Sequence, residues 1–224
     1  MSFILNLETA TKNCSVAVAE NGVTVALHEY AGENYSHAEK LHVFIETALK
    51  EANITYKDLS AIAVSMGPGS YTGLRIGVSA AKGLCYALNI PLIAIDTLEA
   101  LANKLSLADT DGVIVPLLDA RRMEVYSAVF DANHKKVRDT KAEIITEESF
   151  NDIESPIYLL GDGAEKCREL LNSDKFIYSP ELLYPSAGEM SALSYNKHKK
   201  SDTVDVAYFE PFYLKDFIVN RKVS

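Results

Sequence analysis

The residues best placed for chemistry lie in one glycine-rich stretch, "SMGPGSYTGLRIG", residues 65–77, at the junction of an apolar run and an amphipathic one. A strand that runs through glycines into a helix is how backbone N–H groups are brought to a phosphate. The stretch is not a Walker loop, because Gly73 is followed by Leu74 and Arg75 where that loop places Lys and Ser or Thr. Gly67, Gly69 and Gly73 do form GxGxxxG, and Asp96 ends the next apolar run, as in a dinucleotide fingerprint. Against that reading, three strands and a helix precede the stretch, and Asp96 with Glu99 fits a helix N-cap. A packing explanation competes with both. Gly69, Gly73 and Gly77 recur every four residues and Ala80, Ala81 and Leu84 extend the line, so one side of the helix is nearly bare backbone. Each interior glycine costs about 0.5–1 kcal/mol relative to alanine, which close approach of another helix or chain would offset. Ser70 and Thr72 can cap the helix start, where an anion could also sit, and Arg75 one turn in could grip a carboxylate or phosphate.

Other constellations carry less. Cys14, Cys85 and Cys167 have no paired spacing and read as buried thiols rather than a zinc site or disulfide framework. His37 and His42 are five apart, so they do not share a helix face as a metal pair would, and His28, His134 and His198 stand alone. Asp109 and Asp111 fall in a polar break and read as solvated linker residues. "DARRMEVY" gathers Asp119, Arg121, Arg122 and Glu124, which suits either an anion, a partner's acidic loop or an internal ion-pair turn. No serine or cysteine has an identifiable histidine partner for nucleophilic catalysis.

The elements that must position these residues follow from periodicity. "FILNL" and the two runs either side of Asn21-Gly22 read as three antiparallel strands. A helix follows from Ser36, boxed by Glu39, with Leu41, Phe44, Ile45, Ala48, Leu49 and Ala52 on one side. Then come a strand at "LSAIAVSM", a helix over residues 71–88, a strand at "PLIAI" and a helix to about Lys104. After a break near residues 105–111 the order restarts: three strands ("VIVPLLD", "MEVYSAVFD", "KVRDTKAEIIT"), a helix near Glu147–Asp152, "PIYLLG", a helix from about Ala164, "KFIYS", and a helix opened by Ser186 with Glu189 in box position. The predicted class is α/β, with residues 1–105 as an N-terminal, partner-docking unit and 106–224 as a C-terminal unit whose aromatic last segment, "VAYFEPFYLKDFIV", packs back across the body. The repeated order resembles the ribonuclease-H-like halves of the sugar kinase, Hsp70 and actin superfamily, each a mixed sheet flanked by helices.

The 224 residues are 48% hydrophobic and 24% charged with a formal net charge of −9, the profile of a folded protein with a sizeable core. A grip on a nucleic-acid backbone would need a local basic patch, and the Lys197–Lys200 cluster reads as a solvated helix end. No apolar run reaches bilayer length and "MSFILNLETAT" is not a leader, so the sequence predicts a cytoplasmic protein with no membrane contact.

"GPGSYTGLRIGVSAAKGL", residues 67–84, closely resembles the signature of the TsaB (YeaZ) family, needed to make threonylcarbamoyladenosine in tRNA. "ILNLETATKNCSVAV", "IPLIAIDTLEALA", "DARRMEVYSAVF", "GDGAEK" and "EPFYLK" add matches along most of the chain. The resemblance implies two subdomains of the superfamily above and a non-catalytic scaffold role, not an enzyme. The scaffold would pair with and activate a TsaD-like transferase, which carries a histidine pair for metal and modifies N6 of adenosine 37 in tRNAs reading codons that begin with adenine. A TsaE-like ATPase would join the assembly. Docking would use the helix from Ser36 and the glycine-faced helix, with Leu41, Ile45, Gly73, Gly77, Ala80 and Leu84 as interface candidates and a homodimer through the same face when the partner is absent. Ser70, Thr72 and Arg75 are the candidate anion or nucleotide contacts. No cofactor would be intrinsic, ATP or ADP would sit only at the interface of the complex, and tRNA would be reached indirectly. The first turn, "NLETATKNCS", has Glu8 where the family often has Asp and lacks the glycine of a productive nucleotide site, and Lys215 replaces the family's arginine after "YL". The rival functions are an ATP-dependent enzyme of the same superfamily and a dinucleotide-binding enzyme.

Overall fold

Asn21 and Gly22 both sit at positive φ, 51° and 89°, the conformations that a two-residue turn between right-twisted strands requires. They join β2 (Asn13–Glu20) to β3 (Val23–Ala31), and β2 pairs antiparallel with β1 (Phe3–Glu8). α1 (His37–Glu51) leads to β4 (Leu59–Gly67), parallel to β1, and α2 (Tyr71–Leu88) leads to β5 (Leu92–Asp96), parallel to β4. The sheet order is β3-β2-β1-β4-β5. This computed structural model describes residues 1–32, 37–107 and 111–215. Ser36, the expected cap of α1, and Asp109 lie outside them, as do residues 216–219 of the last aromatic segment.

α3 (Thr97–Ala102) connects to the second half, β6 (Val113–Asp119), β7 (Glu124–Asp131), β8 (Lys136–Ile144), β9 (Ile157–Leu160) and β10 (Phe176–Tyr178). Its order, β10-β9-β6-β7-β8, repeats the topology of the first sheet, two hairpin-linked strands on one side of the first strand and two parallel crossovers on the other. The repeated strand order read from periodicity is therefore the real architecture. Its helices are not all present. Residues 147–152 form turns in which Phe150 takes a φ of 63° and is buried with Ile145, so the apolar side chains reach the core without a helix. The helix expected from Ala164 is a single 3-10 turn, Glu165–Cys167. The last helix, α4 (Met190–Lys199), starts a turn later than Ser186, whose hydroxyl instead accepts from Gly188 N at 3.3 Å.

Both faces of the first sheet are covered, which is why β4 reads as a nearly continuous apolar run. Leu5, Leu7, Val16, Ile62 and Val64 pack under α1 and α2, while Ile4, Ala61, Ala63, Ile93 and Ile95 pack on the opposite face with Met190 of α4. The C-terminal chain thus returns to the first sheet. Past α4 it bonds Val204 N to Leu92 O (2.9 Å) and Phe212 N to Met66 O (2.7 Å), and Lys82 Nζ donates to Ala207 O and Phe209 O, both at 3.0 Å. Among the described residues no helix is long and apolar enough to cross a membrane.

The bare side of α2 has a tenant inside the chain. A Cβ added at Gly69 would come within 3.0 Å of Ala10 O, and one at Gly73 or Gly77 would come as close to Thr9 O or Thr9 Oγ1. Thr9 Oγ1 donates to Gly73 O at 2.8 Å and Ser70 N to Ala10 O at 2.7 Å. The line of glycines seats the β1–β2 turn. This corrects the expectation that Gly73 and Gly77 face a partner. Leu41 and Ile45, 0% and 1% exposed, are likewise core residues, and Ala80 and Leu84 are half-buried against the same core. Gly83 differs: nothing lies within 4 Å of where its Cβ would stand. Gly73→Ala should therefore lower stability by about 1–3 kcal/mol through overpacking on backbone, whereas Gly83→Ala should raise it by about 0.5–1 kcal/mol through helix propensity. Urea midpoints of the two variants check both signs.

Candidate functional site

Glu8 ends β1 and is fully buried. Its Oε1 accepts from Ala10 N (2.6 Å) and Ser65 Oγ (3.0 Å), while Oε2 is buried with no hydrogen-bond partner among the described residues. Burial pushes its carboxyl up to about 7, against the pull of the Ala10 N–H and the Ser65 hydroxyl and with a smaller push from Glu189. A nucleotide site of this superfamily needs a carboxylate at this turn that reaches hydrated Mg²⁺. Glu8 is sealed from water and its Oε1 is spent on the turn and Ser65, while α2 seats Thr9 and Ala10 from behind, so these residues do not fit that role. At the matching place in the second half, the end of β6, Asp119 Oδ1 accepts from Arg121 N (2.9 Å) and pairs with Lys166, and Asp119 N donates to Asp162 Oδ1 (2.9 Å). Asp119 builds its own turn.

The remaining reactive types are also engaged. His37 is buried with Nε2 against Thr11 O at 2.7 Å, and burial holds its pKa below the usual value, whereas His42 is exposed and His28 pairs with Glu51 at 2.7 Å. Among the described residues no three His, Cys, Asp or Glu side chains come together. Burial raises the thiols of Cys14 to about 11 and Cys85 to about 12, and that of Cys167 upward, so none is poised as a thiolate at neutral pH.

At the start of α2 the candidate anion contacts separate. Ser70 Oγ is the cap, accepting from Gly73 N at 3.3 Å, while Thr72 is exposed. Arg75 donates from Nε to Tyr213 OH at 3.2 Å and lies 4.0 Å over the Tyr71 ring. With Ser79, Lys82, Phe209, Glu210 and Tyr213 it lines a cavity of about 300 Å³ between α2 and the C-terminal segment. Tyr71 and Tyr213 were not singled out from sequence; the only signal was the aromatic density of the last segment.

The outward surface of the α1–α2 layer carries Val43, 58% exposed, Gly83, and Tyr86, 86% exposed. Sequence reasoning chose the neighbouring positions Leu41, Ile45, Gly73 and Gly77, which face inward. The usable signal was Gly83, a helix glycine off the four-residue line and so without an internal reason to be glycine.

A family model described as "TsaD: tRNA N6-adenosine threonylcarbamoyltransferase" matches residues 33–209. The tRNA threonylcarbamoyladenosine biosynthesis protein TsaB of Buchnera aphidicola is 31% identical over 203 residues, 88% of this chain and 95% of the relative. The chain belongs to the TsaB family. The Escherichia coli TsaB protein is 27% identical over 98% of this chain and 97% of its own length. The solved structure of YeaZ from Pseudomonas aeruginosa superposes with a TM-score of 0.81 at 25% identity, covering 96% of this chain and all, 100%, of that one.

In this TsaB chain the family's glycine signature is an internal seat for the turn that carries Glu8, and the seat has a pH signature. The folded pKa, about 7, lies above the ordinary value of 4.5, so the folded state holds the extra proton between those values. Stability from this group is fully present below about pH 4.5 and is lost as pH rises through 7, by up to about 3 kcal/mol. Glu8→Gln should remove that slope: its melting temperature relative to wild type should climb between pH 5 and pH 7.5 in parallel scanning calorimetry.

Proposed function

We propose that this chain is a non-catalytic scaffold in tRNA threonylcarbamoyladenosine synthesis that pairs with and activates a TsaD-like transferase through its α1–α2 layer. The observation that carries the reading is Gly83: an exposed helix glycine with empty space above it, beside the exposed Tyr86, on a layer whose other glycines are internally used. A small residue next to an open aromatic lets a partner helix approach closely and supplies an anchor. Ala80 and Leu84, half-exposed, border this surface, and Leu41, Ile45, Gly73 and Gly77 hold it from beneath. The sealed Glu8 supports the non-catalytic role over the ATP-dependent enzyme. The family names of the relatives supply the pathway. In this reading a TsaE-like ATPase joins the pair, ATP or ADP sits only at the interface, tRNA is held mainly by the transferase, and two copies meet through the same layer when the partner is absent.

Gly83→Trp and Tyr86→Asp should each weaken co-purification with the transferase by 10-fold or more, about 1.4 kcal/mol or above. Both should leave the melting temperature near wild type. A reconstitution with tRNA, threonine, bicarbonate and ATP should lose modification with the same variants. Normal complex formation by both overturns the docking surface; equal modification without the chain overturns the scaffold role; ATP turnover by the chain alone with Mg²⁺ favours the enzyme.

A further inference from the structure

The turn between β6 and β7 holds two consecutive non-glycine residues in the left-handed region, Arg121 at φ 75° and Arg122 at φ 51°. Such residues persist only where their surroundings over-determine them, and they concentrate where a side chain must be presented. The surroundings here are explicit. Asp119 Oδ1 fixes Arg121 N at 2.9 Å; Lys166 Nζ donates to Arg122 O and Glu124 O, both at 2.7 Å, and pairs with Asp119; Lys215 donates to Ala120 O at 3.3 Å and pairs with Glu124. Two lysines and two carboxylates are spent on holding the backbone of this tip.

Among the described residues the two arginine side chains are left unengaged. Of the five arginines among the described residues, Arg75, Arg138 and Arg168 each donate to Tyr213, Glu143 or Glu165. Arg121 and Arg122 are exposed, and among the described residues neither side chain has a hydrogen-bond or ion-pair partner. The acids beside them are already taken: Asp119 by Lys166, Glu124 by Lys215, and Asp162 by the Asp119 N–H. Lys12, exposed on the β1–β2 turn, is close enough to Asp162 to act on its carboxyl, which brings a third cation to the same end of the molecule. A chain with a formal net charge of −9 thus presents an unneutralised cationic tip.

We infer that the Arg121–Arg122 tip contacts the phosphate backbone of the tRNA substrate. The guanidinium fork matches phosphate oxygens bidentately. An exposed hairpin tip suits a long polyanion rather than a small ligand, which would need a concavity. The choice of tRNA rests on the function proposed above.

The test is fluorescence anisotropy of labelled unmodified tRNA titrated with the chain alone and with its complex with the transferase, at several salt concentrations. The variant is Arg121→Gly with Arg122→Gly, because glycine accepts both φ values and keeps the fold while removing both charges. Expected are about 10-fold weaker binding and a log–log salt slope lower by about 1–2, with an unchanged or raised melting temperature. Arg121→Lys with Arg122→Lys should retain most of the salt slope. Unchanged affinity and slope in the glycine variant, no tRNA binding by wild type in either form, or a fall in melting temperature that accounts for the loss would each overturn the inference. Loss of transferase co-purification with tRNA binding intact would overturn it too, assigning the tip to an acidic protein surface. The scaffold reading fails separately, through Gly83→Trp or through modification without the chain, and the titration of the chain alone is unaffected by that failure.

Discussion

The structure depends on the contact between α2 and the β1–β2 turn. Gly69, Gly73 and Gly77 expose backbone along one side of the helix, and Thr9 and Ala10 occupy the space, with Thr9 Oγ1 on Gly73 O and Ser70 N on Ala10 O. Gly73 and Gly77, inside the helix, give up helix propensity, and the close seat offsets it. Because the turn cannot move away from the helix, the carboxylate of Glu8 is fixed inward against Ala10 N and Ser65 Oγ. One packing contact therefore decides that the end of β1 is closed.

The same closure shapes the outside. With the inner face of α2 used up, the large apolar side chains left facing solvent on the helical layer are Val43 and Tyr86, with Gly83 open beside Tyr86. The C-terminal segment borders this surface: Lys82 holds it through Ala207 O and Phe209 O, and Arg75 holds it through Tyr213. Farther along, Lys215 reaches the β6–β7 turn of the other half. The two halves are also pinned through Asp96, which caps α3 with Oδ1 and accepts from Lys136 Nζ on β8 with Oδ2 at 2.6 Å. The α1–α2 layer and the β6–β7 turn thus belong to different halves that several polar contacts tie together.

Much of the strand order was legible because its signals are local. Asn21-Gly22 forces a hairpin, Ser70 and Asp96 cap the helices they precede, and α2 spans the same residues, 71–88, that its pattern predicts. The second half was read less well in its helices. Phe150 and Ile145 are buried by turns, and the stretch after Ala164 closes into a single 3-10 turn, because burial there is satisfied without helical periodicity. α4 covers the first sheet rather than the sheet it follows, with Met190 buried in one cluster with Ile4 and Ile93.

The sequence by itself determined the strand order, the helix caps, the family and the importance of the glycine stretch, since spacing and residue type are enough to show that a helix side is bare. Only the tertiary structure decided what lies against that side. A line of small residues is equally ready for a partner helix and for the chain's own turn, and the difference is a contact between residues far apart in sequence, such as Thr9 and Gly73, 64 positions apart. The same holds for charge. Arg121 and Arg122 look in the sequence like members of an ion-pair turn, and the fold shows that Lys166 and Lys215 take the carboxylates and leave the arginines without a partner among the described residues. Spacing names the candidates, and long-range pairing settles which of them are already occupied.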